Sequence, residues 1–195
     1  GGYMTDCLID TCGDATLFSP GTAGILISTR DYAIINTEIK NQQRGGCTYD
    51  GVGIDLEHLC KNVTVRNCYI HDNTGAGIFI YDSNGGSEHA NVNCNVEYNL
   101  FENNATEALG SANLLHDDPI ADIRITSGKG YAASGCRISG NMYYNSKASY
   151  VFANKNEKID CDTVITDNTK LEDPTGTYIQ DKENVLKEIR ETRIT

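Results

Sequence analysis

The sequence predicts an all-β solenoid of short stacked strands, on three observations. Apolar residues come in brief pulses with a period of two, as in Val63/Val65, Tyr69/Ile70 and Ile78/Ile80. Each pulse is too short for a helix. The gaps between them are turn residues, such as Arg66-Asn67-Cys68 and Asp72-Asn73-Thr74-Gly75. The chain also repeats itself at a fixed period: Ile34, Val65, Val96, Ile138 and Ile165 are separated by 31, 31, 42 and 27 residues.

Two further columns keep those offsets. One is Tyr32, Val63, Cys94, Cys136 and Thr163; the other is Thr37, Cys68, Asn99, Asn141 and Asn168. A fourth, anchored on Ile70, reads Leu8, Ile39, Ile70, Phe101 and Tyr143, and reaches Lys170 where the pattern decays. Each rung is too thin to bury its own apolar side chains. Stacking rungs about 4.8 Å apart along the hydrogen-bonding direction buries them in one continuous core. The Asn column reads as an internal ladder at a tight turn. Asn tolerates the left-handed conformation there, and its amide can bond its equivalent one rung away.

Composition agrees. The 195 residues include 19 Gly, 3 Pro and no Trp, with 39% hydrophobic residues. The net charge of −11 without a basic cluster argues against nucleic acid as a partner. A strongly anionic ligand would need a local exception or a bridging cation. No stretch has the length of an apolar membrane span. The opening Gly1-Gly2-Tyr3 lacks the pattern of a signal peptide, and upstream coils or processing are expected. None of the eight Cys spacings matches a zinc site. Most of the Cys are expected as small buried residues, with one or two disulfides near the N-terminal loops as the alternative.

In chain order, each rung carries a Gly-led strand: Gly24–Ile27, Gly53–Glu57, then Gly77–Tyr81. The 42-residue step implies an inserted rung, for which Ala112-Asn113-Leu114-Leu115 and Ile123-Arg124-Ile125 both qualify, and Tyr150-Val151-Phe152 supplies the last strand. Ala105–Gly135 and Asp82–Asn93 read as surface excursions, where binding loops tend to lie. Residues 173–195 form a second unit. Asp173-Pro174-Thr175-Gly176 breaks the solenoid, and Lys182–Arg193 predicts a short amphipathic helix with Val185, Leu186 and Ile189 on one face, capping the exposed sheet end.

The run Asn62–Asn73, followed by Gly75-Ala76-Gly77-Ile78, together with its repeats over about residues 3–172, resembles the right-handed parallel β-helix of pectate lyases, polygalacturonases and related carbohydrate-active proteins. More narrowly, it is similar to the β-helix repeat proteins of bacterial polysaccharide degradation. The resemblance implies about six coils, three parallel sheets and a substrate cleft along one sheet and its loops. It also implies a secreted, cell-surface or periplasmic protein.

Alternation turns Ile54/Leu56 and Ile78/Ile80 inward, so Asp55, Glu57, Phe79 and Tyr81 point outward on one face. Aromatic faces stack on sugar C–H surfaces, while carboxylates bind hydroxyls and carry acid–base work. Asp55 and Glu57 are therefore the first candidates for acid/base or nucleophile in glycoside hydrolysis, since residues two apart on a strand face are about 6.5–7 Å apart. Asp50 and Asp82 are supporting carboxylates. Phe79 and Tyr81 form the stacking platform, and His58, His89, Glu107 and His116 are candidate substrate contacts. His71 reads as a surface residue.

The Asp50–Glu57 run resembles the acidic strand of several β-helix glycosidases without matching one family. No cofactor is expected. Asp82–Glu88 offers oxygen ligands, though not at the spacing of the twelve-residue calcium loop, and leaves calcium as the alternative. The expected function is hydrolysis of a neutral or weakly charged polysaccharide. The rival readings are a polysaccharide lyase of the same fold, drawing on Arg44, Arg124 or Lys129, and a non-catalytic, adhesin-like glycan-binding solenoid.

Overall fold

The structure is a computed structural model that describes residues 1–13, 22–44, 51–82, 86–106, 121–127, 131–144, 149–153, 162–171, 183, 184, 186 and 187. The strands follow one another in coils. The first coil holds β1 (Gly2–Thr5), β2 (Leu8–Asp10) and β3 (Ala23–Ile27). The second holds β4 (Arg30–Ile35), β5 (Glu38–Lys40) and β6 (Val52–Leu56), and the third β7 (Lys61–Arg66), β8 (Tyr69–His71) and β9 (Ile78–Asp82). The fourth adds a short first strand: β10 (Asn91–Val92), β11 (Asn95–Glu97), β12 (Leu100–Glu102) and β13 (Ala121–Ser127). The fifth repeats that plan with β14 (Ala133–Ser134), β15 (Arg137–Ser139), β16 (Met142–Tyr144) and β17 (Ser149–Ala153). A sixth begins with β18 (Val164–Thr166) and β19 (Thr169–Leu171).

Equivalent strands pair in parallel into three sheets. Sheet A runs β1-β4-β7-β11-β15-β18 with β10 and β14 at its side, sheet B runs β2-β5-β8-β12-β16-β19, and sheet C runs β3-β6-β9-β13-β17. Ile34 pairs with Val65, Val65 with Val96, Val96 with Ile138 and Ile138 with Ile165, as the period requires. The inserted rung is supplied by Ile123–Ile125, paired to Ile78 and Ile80 and followed by Val151. The rival segment at Ala112 lies outside the described residues. The Ile70 column needs one correction: Ile39 pairs with Ile9, and Leu8 faces outward, 58% exposed. The first step is 30 residues in sheets A and B alike, one short of the 31 that separate the next pair of coils.

Inside the stack Ile34, Ile54, Val65, Ile70, Ile78, Val96, Phe101, Ile123, Ile138 and Tyr143 are fully buried. Phe101 and Tyr143 stack face to face in neighbouring coils, 5.2 Å apart. Cys60, Cys68, Cys94 and Cys136 belong to the same core, and neither they nor the half-buried Cys7 and Cys12 form a disulfide. Burial pushes the Cys60 thiol up to about 11 and the Cys68 thiol to about 12, so neither is a nucleophile at neutral pH.

The Asn column is an internal ladder between sheets A and B. The Oδ1 of Asn99 accepts from the Cys68 N–H at 2.9 Å, while its Nδ2 donates to the Val65 carbonyl and to Asn141 Oδ1, both at 3.0 Å. Asn141 repeats the pattern with Val96 and Asn168. The left-handed residue is not the ladder Asn itself, however. It is the residue before: Asp6, Asn36, Asn67, Tyr98, Gly140 and Asp167 all have φ between 53 and 64°. The backbone turns at that residue, and the next one then points its amide inward to bond the peptide groups opened by the corner. A second ladder, Gln42–Asn73–Asn104, stands at the corner between sheets B and C.

On the outer face of sheet B His71 is buried rather than solvated. It stacks on Tyr69 at 3.9 Å and meets Asp72 at 2.7 Å and Glu38 at 3.2 Å. Lys40 donates to Glu38 at 2.9 Å, and Tyr69 donates to Glu102. At the C-terminus, residues 183, 184, 186 and 187 are helical, and no helix of seven residues is described, so the expected Lys182–Arg193 helix is not established. Leu186, with Met142 and Leu171, packs against Tyr69 and Leu100 of sheet B. Val185 and Ile189 lie outside the described residues.

Removing Asn99 leaves the buried Cys68 N–H and Val65 carbonyl without their partner. Asn99→Ala should lower the unfolding free energy by about 3 kcal/mol, read by urea denaturation. The Glu38 cluster makes a pH-dependent prediction. Burial pushes the Glu38 carboxyl up, but hydrogen bonds from Lys40 and His71 outweigh it and hold it below the usual value. A lowered folded-state value means stability that is present above the ordinary glutamate range and lost as pH falls through the lowered value. The stability difference between wild type and Glu38→Gln should therefore be largest near neutral pH and shrink on acidification, in denaturation curves at a series of pH values.

Candidate functional site

Sheet C owes its outer face to glycines at the entry of its strands. A Cβ on Gly53 would stand 2.6 Å from the Gly77 carbonyl oxygen, and one on Gly77 would stand 2.8 Å from the Phe101 ring. The backbone can then enter close to the core, and strict alternation follows. Ile54, Leu56, Ile78, Ile80, Ile123 and Ile125 are all fully buried on the inside. The residues between them face outward.

Register aligns these outward residues into rows along the solenoid axis. Leu26, Asp55, Phe79 and Arg124 are successive partners on β3, β6, β9 and β13. Arg124 lies over the Phe79 ring, its guanidinium carbon 5.4 Å from the centroid. The ring stands on the strand between Arg124 and Asp55. Two residues along, Tyr81 pairs with Thr126. Carrying the β6–β9 register one step beyond Leu56 and Ile80 sets Glu57 beside Tyr81. The Phe79 and Tyr81 rings stack at 4.9 Å with an interplanar angle of 22°.

The two rows differ in access. Asp55, Phe79 and Arg124 are 3%, 6% and 7% exposed. They face away from the core yet are enclosed, and Phe79 packs with Val52, Ala76 and Ala23. Glu57 and Tyr81, where the strands end, are only partly covered. The sequence expectation of one solvent-facing patch therefore becomes a buried row behind an accessible one.

The accessible end also gathers the two histidines. His58 Nδ1 is 3.5 Å from Glu57 Oε1, and the His58 and His89 rings are 6.4 Å apart. The Leu59 N–H donates to the His89 carbonyl at 2.7 Å, tying the turn after β6 to the 3-10 turn Ser87–His89. His89 Nε2 is 3.6 Å from the exposed Glu88.

Asp55, Glu57, Phe79, Tyr81, His58 and His89 thus share one neighbourhood. Asp82 does not join them. It is fully buried, its place in β9 gives it the inward direction of Ile78 and Ile80, and its carbonyl accepts from Ser127 Oγ at 2.8 Å. Asp50, Glu107 and His116 lie outside the described residues, as does Lys129. Arg44 sits at the corner between sheets B and C, bonded to Thr74. Among the described residues no group of three or more His, Cys, Asp or Glu side chains converges as a metal site.

Sequence reasoning gave little weight to two residues that matter here. Arg124 was one of several basic side chains near an assumed cleft, and only the choice of rung puts it beside Phe79. Asn91 was hidden because the turn before it varies in length. It is fully buried, and its amide bonds carbonyls from three successive coils.

Comparison with known proteins bears on the fold. Residues 1–120 match the family model described as a right-handed beta helix region. No curated protein and no solved structure matches the chain. With the match spanning more than half of the 195 residues, and three parallel sheets stacked coil upon coil, the chain belongs to the right-handed beta helix region family.

Proposed function

We propose that this protein acts on a neutral or weakly charged polysaccharide outside the cytoplasm, hydrolysing a glycosidic bond at the outer face of sheet C. The observation that carries the reading is the pair of rows on that face. The carboxylate Asp55 lies on β6 and Glu57 directly follows its end, while the stacked rings of Phe79 and Tyr81 lie on the next strand. Glu57 is the carboxylate a bound sugar reaches, and Tyr81 the ring it stacks on. His58 and His89 bind hydroxyls at the rim. Asp55, enclosed two residues away, is the second carboxylate. A spacing of about 6.5–7 Å between strand positions i and i+2 suits paired-carboxylate hydrolysis, in which one group protonates the leaving oxygen and the other attacks or activates water.

A second reading is elimination at a uronate. It is favoured by the Arg124 guanidinium beside Phe79 on the same face, a positive charge in the enclosed row that would offset a uronate's charge from behind the rim.

The test is digestion of a glycan panel, reading new reducing ends and the ultraviolet absorbance of unsaturated products together. Wild type should release reducing ends, and Glu57→Gln and Asp55→Asn should each lose at least about a hundredfold in rate. Hydrolysis that persists when both carboxylates are replaced would sink the assignment. An absorbing product would move the reading to elimination, and binding without turnover would leave a glycan-binding solenoid.

The two aromatics should separate in the same assays. Phe79→Ala should cost about 3 kcal/mol of stability because it empties an enclosed site. Tyr81→Ala should instead raise KM several-fold with little loss of stability.

A further inference from the structure

Asn91 opens β10, at the corner where the chain passes from sheet C back to sheet A. It is fully buried. Its Nδ2 lies 3.1 Å from the Leu56 carbonyl oxygen, 3.2 Å from that of Glu57, 3.1 Å from that of Tyr81 and 3.1 Å from that of Ala132. Its Oδ1 accepts from the Cys60 N–H at 3.2 Å. One amide thus gathers the carbonyls at the ends of β6 and β9 and of the coil that follows. Two N–H groups shared among four oxygens are three-centre bonds, and they draw together carbonyl dipoles that otherwise repel.

The paired register of β6 stops at Leu56, so the Glu57 carbonyl is held by this side chain at the point where the strand ends. The Tyr81 carbonyl is held by the same nitrogen. Glu57 and Tyr81 are the two residues that a sugar reaches in the reading proposed above.

We propose that Asn91 is a positioning residue for the sheet C site: it sets the Glu57 carboxylate against the Tyr81 ring by fixing their two backbones to one buried amide. The inference rests on the glycan-hydrolase reading of that site. Asn91 touches no substrate. It acts through the backbone, and its effect falls on kcat, because a displacement of about 1 Å in a reacting group can cost a hundredfold in rate.

Asn99 provides the matched control. It is equally buried and also bonds peptide groups of a neighbouring coil, but at the corner between sheets A and B. Asn91→Ala, Asn91→Ser and Asn99→Ala are compared with wild type at a temperature where circular dichroism shows each folded, on the glycan that wild type cleaves. The expected result is a kcat about tenfold to a hundredfold lower for the Asn91 variants, with KM changed by less than about threefold, and kinetics near wild type for Asn99→Ala. Equal kcat in Asn91 and Asn99 variants would overturn the positioning role while leaving the hydrolase reading intact. Failure of both Asn91 variants to fold while Asn99→Ala folds would also overturn it, by assigning Asn91 to closure of the core. Wild type that cleaves no glycan removes the hydrolase reading and this inference together.

Discussion

No coil of this protein can bury its own apolar side chains, and the whole structure follows from that constraint. A rung of three short strands is one residue thick, so its Ile, Val and Phe side chains find cover only in the rungs above and below. Parallel hydrogen bonding holds the rungs at one spacing, and it needs each corner to turn the same way every time. Left-handed residues make those corners. The amides of Asn99, Asn141 and Asn168 satisfy the peptide groups that the corners expose. The interior is therefore an apolar column sealed at its corners by buried amides, and both are costly to interrupt.

That regularity turns sheet C into a grid. Position along a strand decides inside or outside, and the coil decides the place along the axis. A carboxylate, an aromatic ring and a guanidinium in three successive coils become neighbours although they are far apart in sequence. The grid does not decide access. Asp55 and Arg124 face outward and are still enclosed, whereas Glu57 and Tyr81, at the strand ends, remain within reach. Buried polar and aromatic side chains thus stand directly behind a partly exposed rim.

Sheet B uses similar side chains differently. His71, Tyr69, Glu38, Lys40, Asp72 and Glu102 bond one another across adjacent coils. The network resembles a small reactive cluster in composition, yet its donors and acceptors are directed at each other. Its contribution is to the cohesion of the stack. Four Asp carboxylates are held across coils in a similar way: Asp6, Asp10, Asp31 and Asp72 accept from Asn amides one coil further on.

The fold was legible because each rung obeys the same local rule, so spacing alone revealed the columns, the Asn ladder and the outward direction of Asp55 and Phe79. The departures lie at corners and strand ends, where a one-residue difference moves a side chain to the other face. Leu8 was displaced by Ile9, the left-handed residue stood one place before the ladder Asn, and Asp82 turned inward at a strand end. His71 could not be read as buried, because its cover is made by Tyr69 and Glu38 from an adjoining position and coil. Periodicity and alternation are local properties of the backbone, so spacing alone specifies a stacked parallel solenoid and the face on which acidic and aromatic residues meet. Packing between coils sets which of them stay exposed, which rung puts Arg124 over Phe79, and that Asn91 bonds the carbonyls of both Glu57 and Tyr81. Enclosure and cross-coil hydrogen bonds depend on how separate turns pack, and no spacing within one rung records that.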